Sequence, residues 1–388
     1  MLSAYSLIYI YSEDFPKCKE LVLNMMQLYN ILISKLMKKE KELILSYKFS
    51  LWRRYIVRRF FPELKYNIRK LEGIYKYLEY AERIKLLVWG MTLEEEGVEF
   101  KHPAVEVIRL EDGFIRSVGL GIRLTPPISL VADPMGIYYN SRSPSYLEHL
   151  LMNYSFDENL LERSRKLIDL INKYRISKYN LTGIKWKPPS TSRKIVVVPG
   201  QVETDMSIKY GSPVVKTNIE LLKRVREFNS HEYIIYKPHP DVVGGYRKGY
   251  YDKRELLELC DEVCENCDNY SLIEAADEVH TINSLFGFEA LLKRKKVVCY
   301  GQPFYSGWGL TEDLFPVNRR KRKLTLEKLV AVSLIIYPMY VSLFDGRRIT
   351  PEDAIEELKT LKENPPYRVK LWSIIQKVLE PIFKIRKF

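Results

Sequence analysis

The sequence predicts an α/β fold built on parallel sheets, and three features of residues 195–241 support this. A run of β-branched residues, Ile195–Val198, stops at Pro199-Gly200 and is followed by a polar loop. Apolar residues at helical spacing continue to about Phe228, and a second short apolar run, Tyr233–Tyr236, follows. A strand, a helix and a strand in this order form the repeating unit of a parallel sheet.

Charged and polar side chains follow both of these predicted strands. Gln201, Glu203 and Asp205 come after the first strand, and Lys237 and His239 come after the second. In parallel sheets the loops at the carboxyl ends of the strands form the ligand crevice. We therefore expect these five side chains to lie near one another, at a candidate site.

Length and composition indicate two domains and an anionic partner. The chain has 388 residues, which is too long for one small core and suits two domains with extensions. It is 46% hydrophobic and 29% charged, as globular proteins are. The formal net charge of +13 fits a nucleotide, an acidic sugar, nucleic acid or an anionic membrane face. A basic surface without a specific use is the alternative.

A second candidate site follows the predicted strand Val105–Leu110, which runs directly into Glu111-Asp112-Gly113 and then Arg116. A turn with a solvated acidic pair is the alternative. Ser284 opens a predicted helix that ends near Arg294, and the free N–H groups of such a helix start bind phosphate. Other short strands are predicted at residues 84–89, 128–132, 136–139, 278–281 and 296–300.

The terminal regions are basic. Residues 1–80 carry apolar side chains at helical spacing and predict a helical region, in which Trp52–Phe61 mixes cations with aromatics. That segment suits nucleic acid or anionic lipid, unless its aromatics pack inward. Residues 368–388 suit a helix on an anionic membrane surface, or one docked onto the protein itself. No signal peptide or membrane span is recognisable, so we expect a cytoplasmic protein.

The five cysteines indicate a reducing compartment. Cys260, Cys264 and Cys267 lie close together in a stretch predicted to be helical. Three thiols can pair oxidatively or hold a metal, but no fourth ligand stands nearby, so we expect no metal here.

Five stretches of the sequence, taken in order, carry a family resemblance. They are EDGFIRSVGLG (Glu111–Gly121), PGQVETDMSIKYGSP (Pro199–Pro213), IIYKPHPDVVGGYRKG (Ile234–Gly249), HTINSLFGFEALL and CYGQPFYSGWGLTED. Together they resemble the capsule polysaccharide biosynthesis proteins of the KpsC type, over about residues 84–345. The resemblance implies a GT-B glycosyltransferase in which two Rossmann-like domains face a cleft. Residues 81–185 would form the acceptor-side domain and residues 186–320 the CMP-sugar-binding domain, with helical extensions at residues 1–80 and 321–388.

The resemblance also implies an activity and partners. Members of this family transfer 3-deoxy-D-manno-oct-2-ulosonic acid (Kdo) from CMP-β-Kdo and build a short β-Kdo linker on a lyso-phosphatidylglycerol anchor. For this chain we expect retaining transfer to a Kdo-terminated lipid acceptor, with no metal or other cofactor. Full-length relatives have two transferase modules; this chain has length for one and looks more like the second, β-(2→7) module. An anionic membrane surface on the inner face and polysaccharide export machinery are candidate partners, and we expect no nucleic acid partner.

The resemblance implies roles for the candidate residues. Asp205 falls on the aspartate of the family's QxxxD motif, the expected nucleophile, and Gln201 opens that motif on the donor side; a loop-capping role is the alternative for Asp205. Glu111 falls on the acid-Asp-Gly motif and is the expected acid–base group. Glu203 is a third candidate catalytic carboxylate without a settled role. His239 and Lys237 are expected to hold the CMP phosphate.

Four further residues complete the predicted donor site. Ser284 is expected to bind phosphate at a helix start, and Glu289 to hold the ribose. Arg116 is a candidate for the sugar carboxylate, with an ion pair to Asp112 as the alternative. His280 either supports the residues that contact the donor or is a packed core histidine. Two other functions stay open at this point: transfer of another CMP-linked ulosonate such as sialic acid, and a non-catalytic component of polysaccharide export.

Overall fold

The computed structural model describes residues 25–26, 39–181, 183–247 and 252–364, and these form two six-stranded sheets with helices around them. The first sheet has the strand order β12-β5-β4-β3-β1-β2. Its strands β1 to β4 run parallel to one another, whereas β5 and β12 are antiparallel to their neighbours. These strands are β1 (Glu40–Tyr47), β2 (Leu64–Ile68), β3 (Ala81–Trp89), β4 (Val105–Asp112), β5 (Ser129–Asp133) and β12 (Pro338–Tyr340).

The second sheet is parallel throughout and has the strand order β11-β10-β9-β6-β7-β8. Every residue of its central strand β6 is buried, as expected of a strand covered on both faces. Its strands are β6 (Ile195–Pro199), β7 (Tyr233–Lys237), β8 (Glu262–Val263), β9 (Glu278–Thr281), β10 (Lys296–Cys299) and β11 (Glu312–Asp313).

Many of the helices begin at a Ser, Thr or Asp whose side chain accepts a hydrogen bond from the first helical turn. They are α1 (Leu51–Phe60), α2 (Gly73–Leu78), α3 (Thr92–Glu95), α4 (Tyr146–Asn153), α5 (Glu158–Tyr174), α6 (Met206–Gly211), α7 (Asn218–Phe228), α8 (Pro240–Val243), α9 (Lys253–Leu259), α10 (Asn269–Ala275), α11 (Leu285–Leu292), α12 (Leu326–Val330) and α13 (Pro351–Glu363). Residues 121–123 form a 3₁₀ turn, and a π-helical segment, Ala331–Ile336, continues α12.

The predicted α/β class with parallel strands is confirmed, but three local predictions are wrong. Residues 40–80 are not simply helical, because β1 and β2 belong to the first sheet. The C-terminal region is not purely helical either, since β12 returns to pair with β5. Residues 136–139, predicted as a strand, form no strand and run along the edge of the hydrophobic core instead.

The stretch around the clustered cysteines also differs from its prediction. It is not helical: Cys260 follows α9, and Cys264 follows the short strand β8. Cys264 and Cys267 are joined as a disulfide, whereas Cys260 and Cys299 are free and buried.

An aromatic cluster packs the two sheets together. Phe114, just after β4, stacks on Phe304, which follows β10, with ring centroids 4.3 Å apart. Phe288 of α11 and Tyr337 also contact Phe114. The carboxyl ends of the parallel strands of both sheets therefore border a common space.

Two sequence predictions fall wholly or partly outside the described residues. They are the helical region at residues 1–38, of which the structure describes only 25–26, and the membrane-surface helix at residues 368–388. Among the described helices, none has both the length and the apolar composition that a membrane crossing requires.

Candidate active site

A cavity of about 1500 Å³ lies between the carboxyl ends of the two sheets, and it gathers most of the predicted site residues. The first sheet contributes the end of β4, and the second sheet contributes the loops after β6, β7 and β9. Eight of the ten predicted residues line this cavity: Glu111, Arg116, Gln201, Asp205, Lys237, His239, Ser284 and Glu289.

Glu203 and His280 do not line the cavity, so the structure corrects the site prediction for Glu203 and decides between the two alternatives for His280. Glu203 accepts hydrogen bonds from the backbone and side-chain nitrogens of Asn218, at 2.8 and 3.2 Å, and so ties the loop after β6 to helix α7. His280 is buried in the sheet and contacts the Tyr300 hydroxyl and the Glu278 carboxylate, each at 3.2 Å. It is the packed core histidine that the sequence left open as an alternative.

Glu111 is poised to exchange a proton near neutral pH. Burial raises the pKa of its carboxyl to about 7, and the charges of Asp112 and Asp205 act in the same direction. Gly90, at the end of β3, has a positive φ of 49°, and a Cβ there would come within 2.5 Å of the Tyr139 hydroxyl and 3.5 Å of Glu111 Oε2. The close packing around this carboxyl therefore depends on a glycine at the end of the neighbouring strand.

The pKa of Asp205 is shifted in the opposite direction to that of Glu111. Burial opposes its ionisation, but the hydrogen bond from the Ser207 backbone and the charge of Arg247 outweigh burial and hold its pKa below the usual value. The Asp205 Oδ1 atom accepts from Ser207 N at 3.0 Å and caps α6, and Oδ2 pairs with the Arg247 guanidinium at 2.9 Å. Asp205 is thus a helix cap and a cavity carboxylate together. It is ionised at neutral pH while Glu111 is part-protonated, a separation typical of carboxylates with different chemical roles.

Arg116 forms an ion pair with Asp112, the alternative to a contact with the sugar carboxylate. Its Nε atom donates to Asp112 Oδ2 at 2.5 Å, and its Nη1 atom donates to Ser117 Oγ at 2.8 Å. The residue is buried, so both bonds hold the guanidinium in the cavity wall. Arg116 and Asp112 therefore support the loop that follows Glu111.

His239 and Lys237 lie where the chain leaves β7. His239 Nδ1 accepts from Asp241 N at 3.1 Å, which assigns the ring proton of the neutral imidazole to Nε2. Burial lowers the pKa of His239 to about 4, so the ring is neutral at pH 7 and Nε2–H can donate. Burial also lowers the pKa of Lys237, to about 8, which leaves most of the ammonium charged at neutral pH.

Three more predicted residues complete the second-sheet side of the cavity. Ser284 caps α11 through a hydrogen bond from Phe286 N, so a helix start faces the cavity. Glu289, on the same helix, accepts from Lys178 N at 2.9 Å, and burial raises its pKa to about 7. Gln201 uses its side-chain oxygen to accept from Asn283 N at 2.8 Å. This bond joins the loops that follow β6 and β9.

The sequence motifs missed several cationic residues of the cavity, among them Arg247 and Lys178. Arg247 is the ion-pair partner of Asp205, 42 residues away along the chain, and no local pattern signals that contact. Lys178 lines the cavity from the segment between α5 and β6. Burial opposes its charge, but Tyr179, Asp112 and Glu111 outweigh burial and raise the pKa of Lys178. The cavity thus holds more positive charge than the sequence motifs indicate.

One group of potential metal ligands occurs in the described part of the chain, namely Glu262, Cys264 and Cys267. Its two cysteines form the disulfide, so their thiolates are not free to bind a metal.

Comparisons with known proteins agree with the sequence resemblance. A family model described as capsule polysaccharide biosynthesis protein matches residues 99–348. The chain belongs to this family. It is 43% identical over 320 residues to the capsule polysaccharide modification protein LipA of Neisseria meningitidis serogroup A, an alignment that covers 81% of this chain and 46% of LipA. The chain therefore spans about half the length of this curated relative.

Two solved structures from Thermosulfurimonas dismutans KpsC are similar over most of the chain. The β Kdo 2,7 transferase is 52% identical, with a TM-score of 0.73, over 83% of this chain and 100% of that one. The β Kdo 2,4 transferase is 31% identical, with a TM-score of 0.68, over 81% of this chain and 97% of that one. The predicted resemblance to KpsC-type proteins is therefore confirmed.

Proposed function

We propose that the chain is a retaining β-Kdo glycosyltransferase of the GT-B type, which transfers Kdo from CMP-β-Kdo to a Kdo-terminated glycolipid in capsule polysaccharide biosynthesis. The observation that carries this proposal is the meeting of Glu111 from the first sheet and Asp205 from the second at one cavity. The likeness to the β Kdo 2,7 transferase, at 52% identity, supports the choice of sugar. The GT-B arrangement and the two-domain division belong to this proposal.

In the first chemical step, an oxygen of Asp205 attacks the anomeric carbon of the donor sugar. The bond from that carbon to the phosphate oxygen breaks, and CMP leaves with the electron pair. Asp205 is suited to this role because its carboxyl is ionised at neutral pH. Its ion pair with Arg247 fixes the direction in which the carboxylate points.

In the second step, a hydroxyl of the acceptor attacks the same carbon and Glu111 takes its proton. The Asp205 carboxylate is released, and two successive inversions leave the original configuration. A base with a pKa of about 7 is well matched to a reaction near neutral pH.

The second-sheet side of the cavity would hold the nucleotide. His239 Nε2–H and the Lys237 ammonium, which both lie at the cavity, would donate to the phosphate, and the start of α11 at Ser284 would offer further donors. We expect no metal requirement, because these groups supply the positive charge that the leaving phosphate needs. A chelator should therefore leave activity unchanged.

The direct test is to incubate the protein with CMP-β-Kdo and a synthetic Kdo-terminated acceptor. The proposal predicts release of CMP and an acceptor extended by one Kdo, whose linkage is then assigned by mass and NMR analysis. If CMP-sialic acid supports transfer and CMP-Kdo does not, the donor is another ulosonate. If neither donor is consumed, the non-catalytic export role gains support.

The partners and location follow from the same proposal. A glycolipid acceptor would place the protein at the cytoplasmic face of the membrane, next to export machinery. The basic segment proposed to contact the membrane, residues 368–388, lies outside the described residues. We expect no nucleic acid partner.

A further inference from the structure

The cavity is larger than one ligand requires. Ligand sites typically enclose about 300–1000 Å³, whereas this cavity encloses about 1500 Å³. The proposed nucleotide-binding residues lie on the second-sheet side and leave a wall of the first sheet without an assigned role. That wall carries Arg53, Trp89 and Met91, among others. A second substrate therefore has both room and a surface of its own.

This wall continues the edge of the sheet on which Glu111 lies. Strands β4, β3 and β1 are parallel neighbours in that order, so their carboxyl ends line up along one edge. Glu111 is the next-to-last residue of β4, Trp89 ends β3, and Arg53 lies in the first turn of α1, which follows β1. Glu111, the proposed base, and Arg53 therefore lie along the same edge of the sheet.

Arg53 is held in place without using its hydrogen-bonding capacity on a carboxylate. Its guanidinium lies 4.6 Å from the centre of the Trp89 ring. The charges of Glu111 and Asp112 act on Arg53. In the part of the chain that the structure describes, however, Arg53 makes no ion pair, and Asp112 pairs with Arg116 instead. Asp112 is therefore already occupied, and the Arg53 side chain is exposed to the cavity.

We propose that Arg53, stacked on Trp89, binds the carboxylate of an acidic sugar at the end of the acceptor. A guanidinium forms two parallel hydrogen bonds with a carboxylate, and an aromatic ring against its face restricts its orientation. An acceptor sugar held in this way would direct its hydroxyls toward Glu111, which lies beyond Trp89 along the sheet edge. This inference rests on the proposed function and adds to it the acceptor subsite.

The first test compares Arg53→Gln with a matched control, Arg83→Gln. Arg83 is an exposed arginine near the other end of β3, away from the cavity. In Arg53→Gln we expect the KM for a Kdo-terminated acceptor to rise about 10–100-fold, because a charge-assisted bidentate contact is lost. Acceptor-independent release of CMP from CMP-Kdo should stay within about twofold of wild type. Arg53→Lys should restore part of the affinity, and the control should match wild type in every assay.

A second test changes the acceptor instead of the protein. An acceptor whose terminal carboxylate is reduced to the alcohol should lose about as much affinity for the wild type as Arg53→Gln loses for the acid. Arg53→Gln should bind the reduced acceptor almost as well as it binds the acid, because the substitution and the reduction remove the same contact. Equal additional losses in wild type and variant would show that Arg53 does not contact that carboxylate, and would overturn the proposal.

Binding measurements keep the two proposals separable. Calorimetry with the methyl β-glycoside of Kdo, without any donor, should show binding to wild type and weaker binding to Arg53→Gln. If the protein fails to use CMP-Kdo, the proposed function is wrong, but this measurement still decides the subsite. If Arg53→Gln still transfers Kdo and its acceptor KM is unchanged, the proposed subsite is refuted, whether or not the donor KM rises. The proposed function would then stand without it.

Discussion

Replacing Glu111 by glutamine should abolish transfer and yet stabilise the folded protein above pH 7. The carboxyl lies in the cavity wall, where burial first, and then the charges of Asp112 and Asp205, raise its pKa to about 7. A carboxylate with such a pKa is less stable in the folded protein than in water. Glutamine has a similar shape and carries no charge, so it removes this cost.

The size of the effect follows from the pKa. In the unfolded chain the Glu111 carboxyl ionises near its ordinary value of 4.5, whereas the folded protein keeps the proton up to about pH 7. The folded state therefore binds more protons across this window, and its stability falls as the pH rises through it. At ~1.36 kcal/mol per pKa unit, the full cost above pH 7 is at most about 3 kcal/mol.

Urea unfolding at pH 5 and pH 8 measures this effect. Relative to wild type, Glu111→Gln should gain about 2–3 kcal/mol of unfolding free energy at pH 8, and less than about 1 kcal/mol at pH 5. Glu106→Gln, an exposed change on the same strand, should show no pH-dependent gain. If Glu111→Gln is no more stable than wild type at pH 8, the raised pKa assigned to the Glu111 carboxyl is refuted.

Three further predictions concern catalysis. Asp205→Asn should lower CMP release and transfer by at least about 10³-fold, since the nucleophile is lost; full turnover would show that another group attacks the sugar. His239→Ala should raise the donor KM about 10-fold or more, because a hydrogen bond to phosphate is lost; an unchanged donor KM would place the phosphate elsewhere. The transfer rate should rise through about pH 7 as Glu111 ionises and fall above about pH 8 as Lys237 loses its proton. A transfer rate that has already reached its plateau at pH 5 would exclude Glu111 as the base. If a Lys237→Met variant still loses activity above about pH 8, deprotonation of Lys237 is not the cause of that loss.

The four inner strands of the second sheet, β6, β7, β9 and β10, could be predicted from sequence because they are short, apolar runs bounded by turn residues, whereas the two-residue edge strands β8 and β11 were not predicted. Strand β9 has the predicted bounds, and β6 and β7 are each one residue longer than predicted. Strand β1 was not predicted because Glu40–Tyr47 begins with charged residues typical of a helix. Only its last five residues are buried, and pairing with β3 outweighs the local preference.

The site residues that lie in local motifs at strand ends could be predicted from sequence. The residues that reach the site only through contacts between distant segments could not. Glu111, Asp205 and His239 stand beside glycines, prolines and apolar runs that mark such ends. The ion pair of Arg247 with Asp205 and the cavity position of Arg53 arise only when separate segments fold together. Glu203 shows the reverse error, since a carboxylate in the right loop serves to cap a neighbouring helix.

The most direct test of the central claim is to look for a sugar covalently attached to Asp205. The protein, as wild type and as Glu111→Gln, is mixed with CMP-β-Kdo without acceptor, quenched in acid, digested and analysed by mass spectrometry. We predict one Kdo residue on the peptide that contains Asp205, with more of this adduct in Glu111→Gln. Product formation by the wild type without any adduct at Asp205, or with an adduct on a different residue, would contradict the account.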